Sequence, residues 1–264
     1  MLIKNKVKRA LIEGDDPIFG VYIETPSPSI VEIIGLAGFD FIRIDCHHGP
    51  ANLESVENMI RAAELTDTTA FVRVANDKQQ ILSVLDMGAQ GIIVPDVETA
   101  KEAKAAVIAT KYTPVGQRGL FPSNRASRYG SESSMSYIEW ARQNIMLGIQ
   151  IESVNALDHL EEILNVEGID LILTGQNDIS QSLGVAGQKQ HPDVLEVEEK
   201  IVSAALKVGM AVSLNISPFS QNLPQKVNEL LSRGIRCICM GPETVIFRKT
   251  LNDIILKLKR SSVH

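Results

Sequence analysis

One pattern recurs along this chain and limits its fold more than any other. A helical stretch stops at glycine, and a short apolar run starts within a few residues. Gly38 precedes Phe41-Ile42-Arg43-Ile44, and Leu85-Asp86-Met87-Gly88 leads into Gly91-Ile92-Ile93-Val94. Val166-Glu167-Gly168 leads into Leu171-Ile172-Leu173, Val208-Gly209 into Ala211-Val212-Ser213-Leu214, and Arg233-Gly234 into Cys237-Ile238-Cys239-Met240. Glycine accepts the left-handed backbone that closes a helix, and a buried strand follows. Ile18–Ile23, Ala70–Val74 and Leu147–Ile151 bring the count of such runs to eight. They are continuous rather than alternating, as in a parallel sheet covered on both faces.

Eight βα units in 264 residues favour a closed (β/α)8 TIM barrel over an open doubly wound sheet. An open sheet needs a glycine-rich phosphate turn after its first strand, and Glu24-Thr25-Pro26-Ser27-Pro28 is not one. Residues 1–13 predict a short amphipathic helix ending near Gly14. Ser29-Ile30-Val31-Glu32 has the form of a capping box. The whole chain, 1–264, is expected to be a single barrel domain.

Composition narrows the function. Hydrophobic residues make up 44% and charged residues 22%, enough for a large core and too apolar for disorder. A net charge of −6 argues against general nucleic-acid binding, which needs a basic face. No apolar run reaches the roughly 18 residues of a membrane span, and the first residues lack the apolar core of a signal peptide. The cysteines are Cys46, Cys237 and Cys239, with neither disulfide-framework nor zinc spacing. A cytoplasmic location is expected.

In such a barrel the active site lies at the C-terminal ends of the strands. Those ends read Glu24, then Asp45 with His47 and His48, Arg73, Asp96, Glu152, Asp178 just beyond strand six, and Asn215. Glu152 and Asp178 come from neighbouring strands. Two carboxylates without a cysteine make a hard oxygen site suited to Mg²⁺ or Mn²⁺, and Co²⁺ is a further candidate. The competing reading of Asp178 is a helix N-cap. Arg73 keeps its charge and needs an anionic partner, either an enolate or Asp45. His48 can serve as general base, with Asp45 placed to orient it. No strand ends in lysine, which argues against a Schiff-base mechanism. The long irregular segment from Lys111 to about Ser134 carries Arg118, Arg125 and Arg128, which suggests contact with an anion or an acidic neighbour.

These residues carry a resemblance. Phe39-Asp40, Ile44-Asp45, His48-Gly49-Pro50, Val72-Arg73-Val74, Asn76-Asp77 and Val94-Pro95 look like the metal-dependent (class II) pyruvate aldolases. Gly116-Gln117-Arg118-Gly119, Arg125-Ala126-Ser127-Arg128-Tyr129, Gln150-Ile151-Glu152 and Asp178-Ile179-Ser180 continue the likeness in the same order. The resemblance, to enzymes of the 4-hydroxy-2-oxoheptanedioate and 2-keto-3-deoxy sugar-acid aldolase type, spans roughly Phe19 to Leu256. It implies reversible cleavage of a 4-hydroxy-2-oxo acid to pyruvate and an aldehyde. It implies a divalent metal on Glu152 and Asp178, enolate stabilisation by Arg73, and proton transfer at the 4-hydroxyl by His48 paired with Asp45. Substrate would meet Arg73, the backbone of Gly175, Gln176, Asn177 and Asp178, and Leu214. The family analogy also implies a homo-oligomer, a hexamer, with the arginine loop near a neighbouring subunit's site.

The chain departs from that pattern at three places. His47 stands where the family has an acidic residue before the histidine, Gln176 where it has proline, and Cys46 where a small residue is usual. His47 is an extra ligand, an aldehyde contact or a solvated side chain. Two other functions share most of these residues: oxaloacetate decarboxylation through the same enolate, and a barrel that binds a 2-oxo acid without turnover.

Overall fold

The computed structural model describes residues 2–14 and 16–261; Met1, Asp15 and residues 262–264 of the expected domain lie outside them. The strands are β1 (Ile18–Ile23), β2 (Phe41–Asp45), β3 (Thr69–Arg73), β4 (Gly91–Val94), β5 (Met146–Ile151), β6 (Leu171–Thr174), β7 (Ala211–Ile216) and β8 (Cys237–Pro242). They close in sequence order into a barrel, β8 pairing back onto β1, with every pairing parallel. The helices are α1 (Lys6–Glu13), α2 (Pro28–Leu36), α3 (Leu53–Leu65), α4 (Lys78–Asp86), α5 (Ala100–Thr110) and α6 (Ser134–Asn144). A 3₁₀ turn, Asn155–His159, then precedes α7 (Leu160–Leu164), α8 (Gln176–Ser182), α9 (Pro192–Lys207), α10 (Leu223–Ser232) and α11 (Glu243–Ser261). No helix among the described residues is long and apolar enough to cross a membrane.

The glycines that punctuate the sequence do what their chemistry allows. Gly38, Gly88, Gly168, Gly209 and Gly234 all have φ between 75° and 105°. That region is open to glycine at little cost, so each helix ends sharply enough for the next strand to begin. The expected capping box at Ser29 is not there. Helix α2 starts two residues earlier, with Ser27 accepting from the Ile30 N–H at 3.4 Å and Pro28 in the first turn. Proline's fixed φ suits that position and moves the boundary back.

Two apolar layers form. The larger lies between strands and helices; the smaller fills the barrel with Ile18, Tyr22, Phe41, Phe71, Ile93 and their neighbours. Phe41 and Phe71 meet edge to face, centroids 5.6 Å apart. A Cβ on Gly20 or Gly91 would fall 2.2 Å from one of these rings, so the fill of the barrel depends on both glycines. Helix α1 closes the barrel's N-terminal end by setting Val7 into that inner layer. Its N-cap, the buried Asn5, donates to the carbonyls of Gln90 and Asn144. Polar groups are thereby left to the opposite end.

Candidate active site

At the C-terminal end of the barrel a cavity of about 780 Å³ opens. Asp45, His48, Arg73, Gly175, Gln176, Asn177, Asp178 and Leu214 all line it. Glu152 sits behind this lining, buried at 4% exposure. The sequence-predicted residues therefore converge.

Asp45 is the hub of one wall. It ends β2 in direct register with Arg73 on β3. Arg73 donates to it twice, Nε to Oδ1 at 3.0 Å and Nη2 to Oδ2 at 2.9 Å. The Tyr22 hydroxyl donates to Oδ2 at 2.7 Å. The backbone N–H groups of His47 and His48 donate to Oδ1 at 2.9 and 3.2 Å. Burial alone would raise this carboxyl; the Arg73 hydrogen bonds and charge outweigh it, Tyr22 and the loop N–H add to them, and the pKa falls to about 2. Asp45 thus orients His48 through its main chain: the contact seen is to the backbone, not to the imidazole. Of the two partners expected for Arg73, the structure supplies Asp45. Two nitrogens of the guanidinium are held, its plane is fixed, and Nη1 is not engaged by Asp45.

The opposite wall holds the carboxylates. Glu152 follows β5 and accepts from the Asp96 N–H at 3.1 Å and from the Gln150 amide. Burial first, and then the charge of Asp178, hold its carboxyl above the ordinary range. A Cβ on residue 175 would fall 2.0 Å from Glu152 Oε2, so glycine there lets the carboxylate lie against the end of β6. Asp178 is not an N-cap. The capping position of α8 belongs to Gly175, which has no side chain, and Asp178 lies in the first turn. At the departure Gln176, the side-chain amide donates to Glu198 on α9 at 2.7 Å.

A divalent cation fits this donor set. Two mutually repelling carboxylates, one of them buried, lose their conflict when a dication sits between them, and both are hard oxygen donors. No group of three or more His, Cys, Asp and Glu that could hold a metal occurs among the described residues. Such a cation would be held by Glu152 and Asp178, with other positions left to water and substrate oxygens.

Other open alternatives resolve. Arg118 is buried and donates to Asp86 at 2.7 Å and to the Tyr137 hydroxyl at 3.1 Å. Arg125 grips Glu64 twice, at 3.0 and 2.7 Å. Both are paired with acidic neighbours within the chain and are absent from the cavity lining. His47 Nε2 lies 3.3 Å from Asp96 Oδ2, bridging the ends of β2 and β4. Cys46 is a half-buried thiol pushed up to about 12 by burial and by Asp45, which leaves it un-ionised. Lys111 is half-buried and pairs with Asp170 at 2.6 Å away from the cavity.

Sequence reasoning missed Tyr22, Arg43, Gln150 and Glu198, all of which line the cavity. Arg43 was legible in part. It alternates with Asp45 on β2, so both side chains face the same way.

The HpcH/HpaI aldolase/citrate lyase family model matches residues 19–246. The chain is 32% identical over 241 residues to the 2-dehydro-3,6-dideoxy-6-sulfogluconate aldolase of Pseudomonas putida, covering 91% of this chain and 92% of that one. It is 32% identical over 260 residues to the 2-keto-3-deoxy-L-rhamnonate aldolase of Salmonella gallinarum, covering 98% and 94%. Among solved structures, citrate synthase SbnG superposes with a TM-score of 0.87 at 28% identity, covering 98% of this chain and 99% of that one. With that match over most of its length and the convergent site at the barrel mouth, this chain belongs to the HpcH/HpaI aldolase/citrate lyase family, as a carbon–carbon lyase of the aldolase type.

Proposed function

We propose that the enzyme reversibly cleaves a 4-hydroxy-2-oxo acid to pyruvate and an aldehyde, with a divalent cation, Mg²⁺ or Mn²⁺, held by Glu152 and Asp178. The observation that carries this reading is one cavity that brings together a carboxylate pair, Asp178 in its lining and Glu152 just behind it, with Asp45-held Arg73 and His48.

Cleavage removes the 4-hydroxyl proton and breaks the C3–C4 bond. Its electron pair stays on C2–C3 as an enolate, and a proton added at C3 completes pyruvate. His48, exposed at the mouth, takes the hydroxyl proton. Arg73 offers Nη1 to the enolate oxygen from a guanidinium already locked in place, so little reorganisation accompanies the step. The first-turn N–H groups of α8 have no intrahelical acceptor and receive the 2-oxo acid's carboxylate, with Leu214 as an apolar wall. The cation, when bound, supplies Lewis-acid stabilisation of negative charge on the 2-oxo oxygen.

Pyruvate release from a 4-hydroxy-2-oxo acid is expected to vanish with a chelator and return with Mn²⁺; turnover that persists in thoroughly chelated enzyme would sink this reading. His48→Ala should slow aldol cleavage by about 10²–10³-fold yet leave oxaloacetate decarboxylation within a few-fold. Equal loss in both reactions would remove His48 from the hydroxyl step.

A homo-oligomer is supported by α11, where Phe247, Leu251, Ile255 and Leu258 make an exposed apolar stripe. A chain that stayed single would leave that stripe in water. Sedimentation equilibrium is expected to give a multiple of 28.9 kDa; a monomer at micromolar concentration would contradict it.

A further inference from the structure

Arg43 has no part in the chemistry above, yet it lines the same cavity at 3% exposure. It is a permanent cation in a barrel interior, where charges are normally paired. What holds it is neutral. Nη2 donates to Asn215 Oδ1 at 2.8 Å, and the guanidinium carbon sits 4.4 Å over the Tyr22 ring. Nε is buried without a hydrogen-bond partner. No carboxylate forms an ion pair with it among the described residues.

Of the surrounding acids, Asp178 is reserved for the cation and the others are committed elsewhere. Asp45 is gripped by Arg73. Glu24 accepts from Thr244, and Glu198 from Thr174 and Gln176. Glu152 accepts from Asp96 and Gln150. The sulfur groups nearest in the inner layer do not serve either, since burial keeps Cys237 and Cys239 as thiols. Asn215, by contrast, is exposed to the cavity, and its amide uses only Oδ1 on Arg43, which leaves Nδ2 as a donor beside the guanidinium. An unneutralised arginine with an amide donor beside it, open to a cavity, is an anion receptor.

We infer that Arg43 and Asn215 bind a second anionic group of the substrate, so that the enzyme prefers dianionic 4-hydroxy-2-oxo acids. This rests on the aldolase reading of the same cavity: one carboxylate goes to the first turn of α8, the other anion to Arg43. The anion is a carboxylate or a group of like charge, carried either on the 2-oxo-acid half or on the aldehyde half.

The test uses the Mn²⁺-loaded full-length enzyme. Calorimetric titration compares L-malate with L-lactate, which differ by one carboxylate. Aldol addition to pyruvate compares glyoxylate and succinic semialdehyde with glycolaldehyde and propanal. Wild type is expected to favour the anionic member at least tenfold in one of the two arms, and that arm identifies the half that carries the anion. Arg43→Leu should abolish the preference. Asn215→Asp keeps Arg43 but fills the receptor with an internal carboxylate, so it should abolish the preference too, even if the leucine variant folds poorly. Wild type without a preference in either arm, or a ratio unchanged in both variants, overturns the assignment. Exchange of pyruvate methyl protons in D₂O separates the two readings. If wild type does not exchange them the aldolase reading fails, and the malate-to-lactate ratio still decides Arg43.

Discussion

Glu152→Gln is expected to lower the rate of pyruvate formation by roughly 10³-fold or more, with loss of tight Mn²⁺ binding. The change is nearly isosteric, so the loss cannot be assigned to a collapsed fold. Glu152 accepts one hydrogen bond from the Asp96 N–H and one from the Gln150 amide. The glutamine carbonyl can keep the first. For the second, Gln150 can turn over and present its own Oε1, a buried atom that has no partner in the wild type. What disappears is the charge, which burial and Asp178 already oppose. The metal-free variant should therefore melt no lower than metal-free wild type, while the metal-dependent rise in Tm is lost. A variant that keeps Mn²⁺ affinity and activity within tenfold would show that Glu152 is not a ligand.

The second large effect is on stability. Asp45→Asn should destabilise the protein by about 3 kcal/mol at neutral pH, because it strands the buried charge of Arg73. Asp45 is 1% exposed and Arg73 5%, so water cannot take over. The pH dependence has a definite sign. Asp45 has its pKa lowered from the ordinary 3.8 to about 2 in the fold, so its stabilisation is complete above pH ~4 and drains away as pH falls towards 2. About 2 kcal/mol of the difference between wild type and variant should close over that window. Urea midpoints at pH 7 and pH 2 measure it; a gap that stays constant would mean that the Arg73 pair contributes little. Activity should fall as well, by about 10²-fold, because Arg73 and the His47–His48 backbone lose their common anchor.

Much of this site is readable from the chain because barrel geometry converts order into position. Once the glycine junctions give eight strands, each strand's last residues face the same end, and Asp45, Arg73 and Glu152 follow. The acid–base partnership was harder. Asp45 and His48 are near in sequence, but whether a carboxylate meets an imidazole or a backbone N–H depends on how the loop turns over it. The arginine loop was harder still. Arg118 and Arg125 find Asp86 and Glu64, 32 and 61 residues away. A sequence cannot say whether an arginine is already paired.

By itself, then, the sequence determined the parallel barrel, the end that carries chemistry and the two carboxylates suited to a cation, because periodicity and glycine conformations are local properties. The tertiary structure alone decided which charges are spent. Arg73 is neutralised by Asp45, and Arg118 and Arg125 by their own neighbours, whereas Arg43 forms no ion pair with a carboxylate among the described residues. Pairing falls off steeply with distance and depends on burial, so it is settled only when the strands close and fix which side chains meet.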